Sequence, residues 1–254
     1  MLLVWLAASV LAVSAHAQTP QVPKRVLVLY WYHKDYPLNV SIEKGFRATL
    51  AAEPRVDIEY YYEHLESDRF PGTRLERAFH DYLRQKYAGL PIDVVVGSGT
   101  GAAEFLLHYR RTLFPDVPMV FIGSLAEGAT AAAEPGVTGI ASYRSFRKNL
   151  DLVLRLHPET KHVFIVSGTL ERDQRLEARA REELQGWHRN VTVTYLTDRP
   201  LHDLIMRMKR LPEHSIVLYA RHQFRYEEGS RVLEHSDILA GLVSSARMPV
   251  YGMS

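Results

Sequence analysis

Apolar runs of strand length alternate with amphipathic stretches along most of this chain. Arg25-Val26-Leu27-Val28-Leu29-Tyr30-Trp31 is almost uninterrupted, as expected of a strand covered on both faces. Between Val40 and Ala52 the spacing of Ile42, Phe46 and Leu50 predicts a helix that ends before Pro54. Val56 to Tyr62 alternates Val56, Ile58 and Tyr60 against Asp57, Glu59 and Tyr61 and reads as a second strand. The same reasoning predicts a helix over 73–88, a strand over 92–96, a helix over 102–111 and a strand over 117–122. A stretch rich in Ala and Gly follows, at 127–143. The alternation then restarts, with helices over 145–156, 170–186, 201–211 and 237–247. Strands are expected over 161–166, 191–196 and 215–219, and another begins at Val250. Strand–helix alternation of this kind predicts an α/β protein built from two Rossmann-like lobes with parallel sheets, helices covering both faces. The lobes are expected at 24–128 and 129–254, joined near residues 124–144.

The first residues follow a different rule. Met1 to Val13 is apolar, and Ala15-His16-Ala17 has the small residues of a signal-peptidase site, so a leader over 1–17 with cleavage after Ala17 is expected. The apolar segment falls short of the ~20 residues of a membrane span. No Lys or Arg precedes it. The expected location is the periplasm.

Composition narrows the function. The 254 residues are 46% hydrophobic and 24% charged, ordinary values for a globular chain. A net charge of +2 without a dense basic block gives no nucleic-acid signature. The absence of cysteine excludes disulfides, thiolate metal sites and cysteine nucleophiles. Twelve histidines are scattered, with no His-Glu-x-x-His, and no metal or cofactor is expected. No trustworthy nucleophile–base pair emerges, so the chain is expected not to be an enzyme; an exported α/β hydrolase is the more distant alternative.

In open parallel sheets, ligands bind beyond the carboxyl ends of the strands. The sharpest motif there is Gly97-Ser98-Gly99-Thr100-Gly101, where Ser98, Gly99 and Thr100 and the following helix amides would offer donors to an anion. Position 102 is Ala, so the dinucleotide fingerprint fails, and no Walker loop or nucleophile elbow is present. An ordinary turn without ligand is the alternative. Trp31, Tyr32 and Asp35, after the first strand, would stack on an apolar ligand or pair with an amine, unless the aromatics belong to the core. Tyr219, Arg221 and Phe224 supply a cation and aromatics at another strand end, and Arg221 or Arg225 would clamp a carboxylate.

Several phrases carry a family likeness: Tyr30-Trp31-Tyr32, the stretch 63–72, the stretch 86–96, the stretch 113–121 (Leu113-Phe114-Pro115-Asp116-Val117-Pro118-Met119-Val120-Phe121) and Pro249-Val250-Tyr251-Gly252. Together they resemble the substrate-binding components of uncharacterised ABC transporters and the extracytoplasmic sensor domains of bacterial histidine kinases. The resemblance implies a type I periplasmic-binding-protein fold, with a small solute such as an amino acid or aromatic acid held in the cleft between two lobes. It places ligand loops on Trp31-Tyr32, Ser98 to Thr100, Gly123-Ser124, Ser167 to Thr169 and Tyr219 to Phe224. The partner would be a membrane permease, or a fused kinase module in the sensor alternative. The family continues beyond a Pro-Val-Tyr-Gly strand with a further crossing and a helix, so a chain ending at Ser254 is expected to lack the last crossover.

Overall fold

The computed structural model describes residues 22–53, 56–67, 69–70, 72–123, 134–141, 144–168, 171–187, 190–197, 200–221 and 235–253. The expected leader, with its cleavage after Ala17, lies outside them. The chain divides into two compact units, each built around one sheet.

The first unit runs β1 (Lys24–Tyr30), α1 (Pro37–Ala51), β2 (Ile58–His64), α2 (Thr73–Lys86), β3 (Val94–Ser98), α3 (Thr100–Leu113), β4 (Met119–Gly123) and β5 (Val137–Ala141). Its strand order is β2-β1-β3-β4-β5. β1 pairs in parallel with β2 and β3, and β3 with β4. Alternation along each strand divides the sheet's two faces. Leu27, Leu29, Val95 and Phe121 pack against Leu83 of α2 and Ala102, Ala103, Phe105 and Leu106 of α3. Val26, Val28, Tyr30 and Val96 face the other way, toward Phe46 of α1 and the Tyr60 and Tyr62 rings of β2. Gly97 lets α3 lie close on the sheet, because a Cβ there would stand 3.0 Å from the Ala103 Cα.

β5 lies within the stretch 124–144, near which the two lobes are expected to join. It is the fifth strand of the first sheet, with the Met119 amide donating to the Gly136 carbonyl at 2.8 Å. Its sequence, Val-Thr-Gly-Ile-Ala, neither alternates nor runs apolar, because it is a short edge strand and Ile140 is 70% exposed. The first sheet therefore takes the chain past residue 128.

The second unit contains α4 (Phe146–Leu156), β6 (His162–Ser167), α5 (Glu171–Glu183), β7 (Thr192–Leu196), α6 (Leu201–Met208), β8 (Ser215–Arg221), α7 (His235–Ser245) and β9 (Val250–Gly252). The sheet order β7-β6-β8-β9 repeats the β2-β1-β3-β4 order of the first sheet. Val163, Ile165, Ile216 and Leu218 pack on Phe146, Leu150 and Val153 of α4 and on Ala180 of α5. Phe164, Val166, Val217 and Tyr219 pack on Leu204 and Met208 of α6 and on Ile238 and Leu242 of α7. Burial on both faces explains why β6 and β8 are written as continuous apolar runs. Ser145 caps α4, its Oγ accepting from the Lys148 amide at 3.1 Å, and the Phe146 amide donates to the Glu183 carboxylate of α5.

Candidate functional site

The strand order of each sheet reverses between its two central strands. In the first unit the reversal lies between β1 and β3, in the second between β6 and β8. At such a switch point the two following helices leave toward opposite faces, which opens a crevice beyond the strand carboxyl ends. Five residues named from the sequence stand at these two points: Trp31, Ser98 and Gly99 at the first, Ser167 and Arg221 at the second.

In the first unit, the Trp31 amide donates to the Ser98 carbonyl at 3.0 Å and the Gly99 amide to the Ile122 carbonyl at 2.7 Å. Gly97 and Ser98 therefore belong to β3, and Thr100 and Gly101 to α3; the motif expected to be a loop is a strand end joined to a helix through Gly99 alone. Gly99 has φ +90°, and a Cβ there would stand 3.0 Å from the Trp31 Cβ. At Gly101 a Cβ would lie 2.6 Å from the indole Cε2 and 2.7 Å from Cδ1. The two glycines thus seat the indole of Trp31 against the first turn of α3. Trp31 is buried at 6% exposure, as the floor of this strand end rather than a projecting ring. Gly123, at φ +140°, brings the end of β4 against the same turn, with a Cβ position 3.2 Å from the Thr100 amide.

The chain after β1 is held by two devices. Tyr32 stacks on Tyr36 with ring centroids 4.0 Å apart, and tilts against Trp31 at 5.0 Å. Buried Asn39, in the first turn of α1, donates from Nδ2 to the carbonyls of Tyr32 at 3.0 Å and His33 at 2.8 Å. Sequence reasoning missed Asn39, because its partners are backbone oxygens that no side-chain motif announces. Asn39→Ala is expected to cost about 1–2 kcal/mol and to speed amide exchange over 33–36. Asn39→Asp is expected to cost more, since a carboxylate would face two carbonyl oxygens. Thermal melts and hydrogen exchange of both variants check this. Asp35 projects into solvent, where a hydrogen bond from Lys34 at 2.6 Å holds its carboxyl below the usual range.

Ser98 is buried, and its Oγ has no hydrogen-bond partner among the described residues. Strand alternation puts it on the α1 face with Tyr30, its register partner. The second unit repeats this: Ser167 ends β6 buried, and its Oγ is likewise without a partner among the described residues. Val166 pairs with Tyr219 but Ser167 with Arg221, so Ala220 is an extra residue in β8. This β-bulge shifts the end of β8 by one position and so re-aims the residues after Tyr219. Tyr219 is buried and its carbonyl accepts from the Met253 amide at 3.1 Å. Ser124, Thr169 and Phe224 lie outside the described residues, as does the side chain of Arg221.

Two polar clusters flank β2. On one face Glu63 is buried, accepting from the Tyr87 hydroxyl at 2.7 Å and pairing with Lys86 at 2.6 Å. Burial, reinforced by that hydrogen bond, pushes the Tyr87 hydroxyl far above its usual range, and the Glu63 hydrogen bond raises Lys86. On the other face Tyr30 stacks between Tyr62 and His64, and Arg47 lies over the Tyr60 and Tyr62 rings while donating to the Tyr62 hydroxyl at 2.7 Å. Burial raises Tyr30 strongly and Tyr62 to about 12, and lowers His64. Among the described residues no group of three or more His, Asp or Glu is placed to hold a metal ion.

No protein-family model matches the sequence, and no curated protein does either. Solved structures do. An ABC domain in complex with L-Trp from Streptococcus pneumonia superposes with a TM-score of 0.59 at 17% identity, over 91% of this chain and 74% of that one. The type I periplasmic-binding-protein fold expected from the sequence is the fold of this chain. A solute-binding protein of an ABC transporter from R. palustris, in complex with benzoate, matches with a TM-score of 0.60 at 13% identity, over 91% of this chain and 62% of that one. A putative LacI transcriptional regulator from Bacteroides fragilis matches with a TM-score of 0.61 at 14% identity, over 91% and 78%. The same architecture thus serves both solute-binding proteins and a regulator.

Proposed function

We propose that this chain binds a small organic solute bearing a carboxylate at the carboxyl edges of its sheets, without turning it over, as the periplasmic substrate-binding component of a membrane permease. The observation that carries this reading is the repeated switch point, each with a buried serine hydroxyl, Ser98 or Ser167, that has no partner among the described residues. An unsatisfied buried hydroxyl costs roughly 1–3 kcal/mol, and a ligand that bonds to it recovers that loss. The start of α3 adds to this: no side chain caps it and its first turn has no acidic residue, so its amides favour an anionic group. The fold neighbours crystallised with L-Trp and benzoate suggest amino acids and aromatic acids as the solute class. Gly123 and Thr100 border the same strand ends, and Ser124, Thr169, Arg221 and Phe224 are proposed to complete the contacts.

The test separates binding from structure. Ser98→Ala and Ser167→Ala are each expected to leave the melting temperature unchanged or slightly raised, because an unpartnered hydroxyl is removed. Each is expected to weaken solute binding at its own sheet about tenfold, close to 1.4 kcal/mol. Calorimetric titration with L-tryptophan, benzoate and related carboxylates reads both. Full affinity in both variants removes the serines from the site; turnover of any bound compound overturns the non-catalytic reading.

A further inference from the structure

The second unit carries a cavity of about 340 Å³ at the other end of its sheet. α6 runs back along the sheet after β7, so its last turn lies toward the amino ends of the strands, away from Ser167 and Tyr219. Phe164 of β6, Met206 and Leu211 give the cavity an apolar wall. Asp203, Arg207 and Arg210 line it as well, and none of the three makes a side-chain hydrogen bond or ion pair among the described residues. Arg207 lies in the last turn of α6 and Arg210 in the turn just after it, both exposed and both lining the same cavity.

Two guanidinium groups against one carboxylate leave the lining with a net positive charge. A guanidinium presents a planar fork of donors that matches a carboxylate bidentately. The volume lies at the lower end of the range for small-molecule sites, which combine an apolar wall with a few polar groups fixing orientation. We propose that this cavity is a second ligand site, taking a small organic carboxylate whose apolar body rests on Phe164, Met206 and Leu211 while Arg207 and Arg210 hold its head group. It is independent of the site at the strand carboxyl ends.

The probes are hexanoate and phenylacetate, with hexanamide and phenylacetamide as uncharged counterparts, titrated into the full chain at millimolar concentration by calorimetry and NMR. The expected result is saturable binding of an acid and not of its amide. Arg207→Ala/Arg210→Ala should weaken it at least tenfold while the melting temperature holds, because neither side chain has a partner among the described residues to lose. Ser98→Ala and Ser167→Ala should leave it unchanged, which separates this site from the proposed solute site. Met206→Glu gives a second variant, placing a repelling carboxylate on the same wall at a partly exposed position. No saturable binding, equal binding of acid and amide, or full affinity in both variants overturns the proposal. So does an acidic peptide that binds at the arginines when neither small acid does, since that makes the cavity a protein-docking surface.

Discussion

Gly101→Val is expected to melt well below the wild-type protein and to bind no solute at the first sheet. The Cβ of any residue at 101 would lie 2.6–2.7 Å from atoms of the Trp31 indole, and valine adds two methyls. The indole has nowhere to go: it is buried, its backbone amide is fixed to Ser98, and Tyr32 lies against it. Overpacking of this kind costs about 1–3 kcal/mol and more when the neighbour is rigid. The better helix propensity of valine over glycine returns only a few tenths, and less in a first turn. At roughly 2–4 °C per kcal/mol, a loss of about 3 kcal/mol lowers Tm by about 6–12 °C. Displacing the indole also moves the first turn of α3 and the Gly123 end of β4 that meets it. Gly45→Ala is the control. A Cβ at Gly45, inside α1, meets nothing within 4 Å, so alanine there is expected to stabilise by about 0.5–1 kcal/mol. Differential scanning calorimetry of the two variants reads opposite signs; equal shifts would mean that the glycines are only flexible spacers.

The second large effect is alkaline. Tyr30, Tyr62 and Tyr87 all titrate above the usual tyrosine range when folded, chiefly through burial, Tyr62 at about 12. A group whose folded pKa exceeds its unfolded value contributes stability that is fully present below the unfolded pKa. That contribution is lost as pH rises through the folded pKa, because the unfolded chain releases its proton first. For tyrosine the loss begins near pH 10, at about 1.4 kcal/mol per pH unit and group. By about pH 11 the three together remove roughly 4 kcal/mol, a large part of a typical folding free energy. Lys86, raised by its bond to Glu63, pulls in the same direction, though its exposure makes its share small. Urea unfolding between neutral pH and pH 11 is therefore expected to show a midpoint that collapses above pH 10. Tyr87→Phe removes one of these protons but strips buried Glu63 of a donor, so it should be less stable at neutral pH and fall less steeply above pH 10. A profile flat to pH 11 contradicts the burial assigned to these rings.

How much of this is visible in the residues alone depends on what each element must bury. β1, β6 and β8 are covered on both faces, and Leu27 to Leu29, Val163 to Val166 and Ile216 to Leu218 announce them as apolar runs. β5 has one open side and only Val137 packed against the core, so nothing in Thr138-Gly139-Ile140 distinguishes it from a connection. The end of β3 reads as loop because Gly97 and Ser98 are poor strand formers; their pairing with Leu29 and Tyr30 overrides that preference. The glycines around Thr100 are legible as a special turn but not in their purpose, which is to admit the Trp31 ring. Asn39 and the Ala220 bulge depend on backbone oxygens and register, which the sequence does not display. Ser98 and Ser167 stand out because polar residues close otherwise apolar strands.

Binding of a carboxylate-bearing solute at the carboxyl edges of these sheets is the function proposed from the two switch points. The decisive measurement is isothermal titration of the full chain with a panel of amino acids and aromatic acids. The expected outcome is saturable heat for at least one carboxylate, its component at the first sheet about tenfold weaker in Ser98→Ala and lost in Gly101→Val, and its component at the second sheet about tenfold weaker in Ser167→Ala. Binding of equal strength in all four proteins, or no heat from any compound in the panel, refutes it.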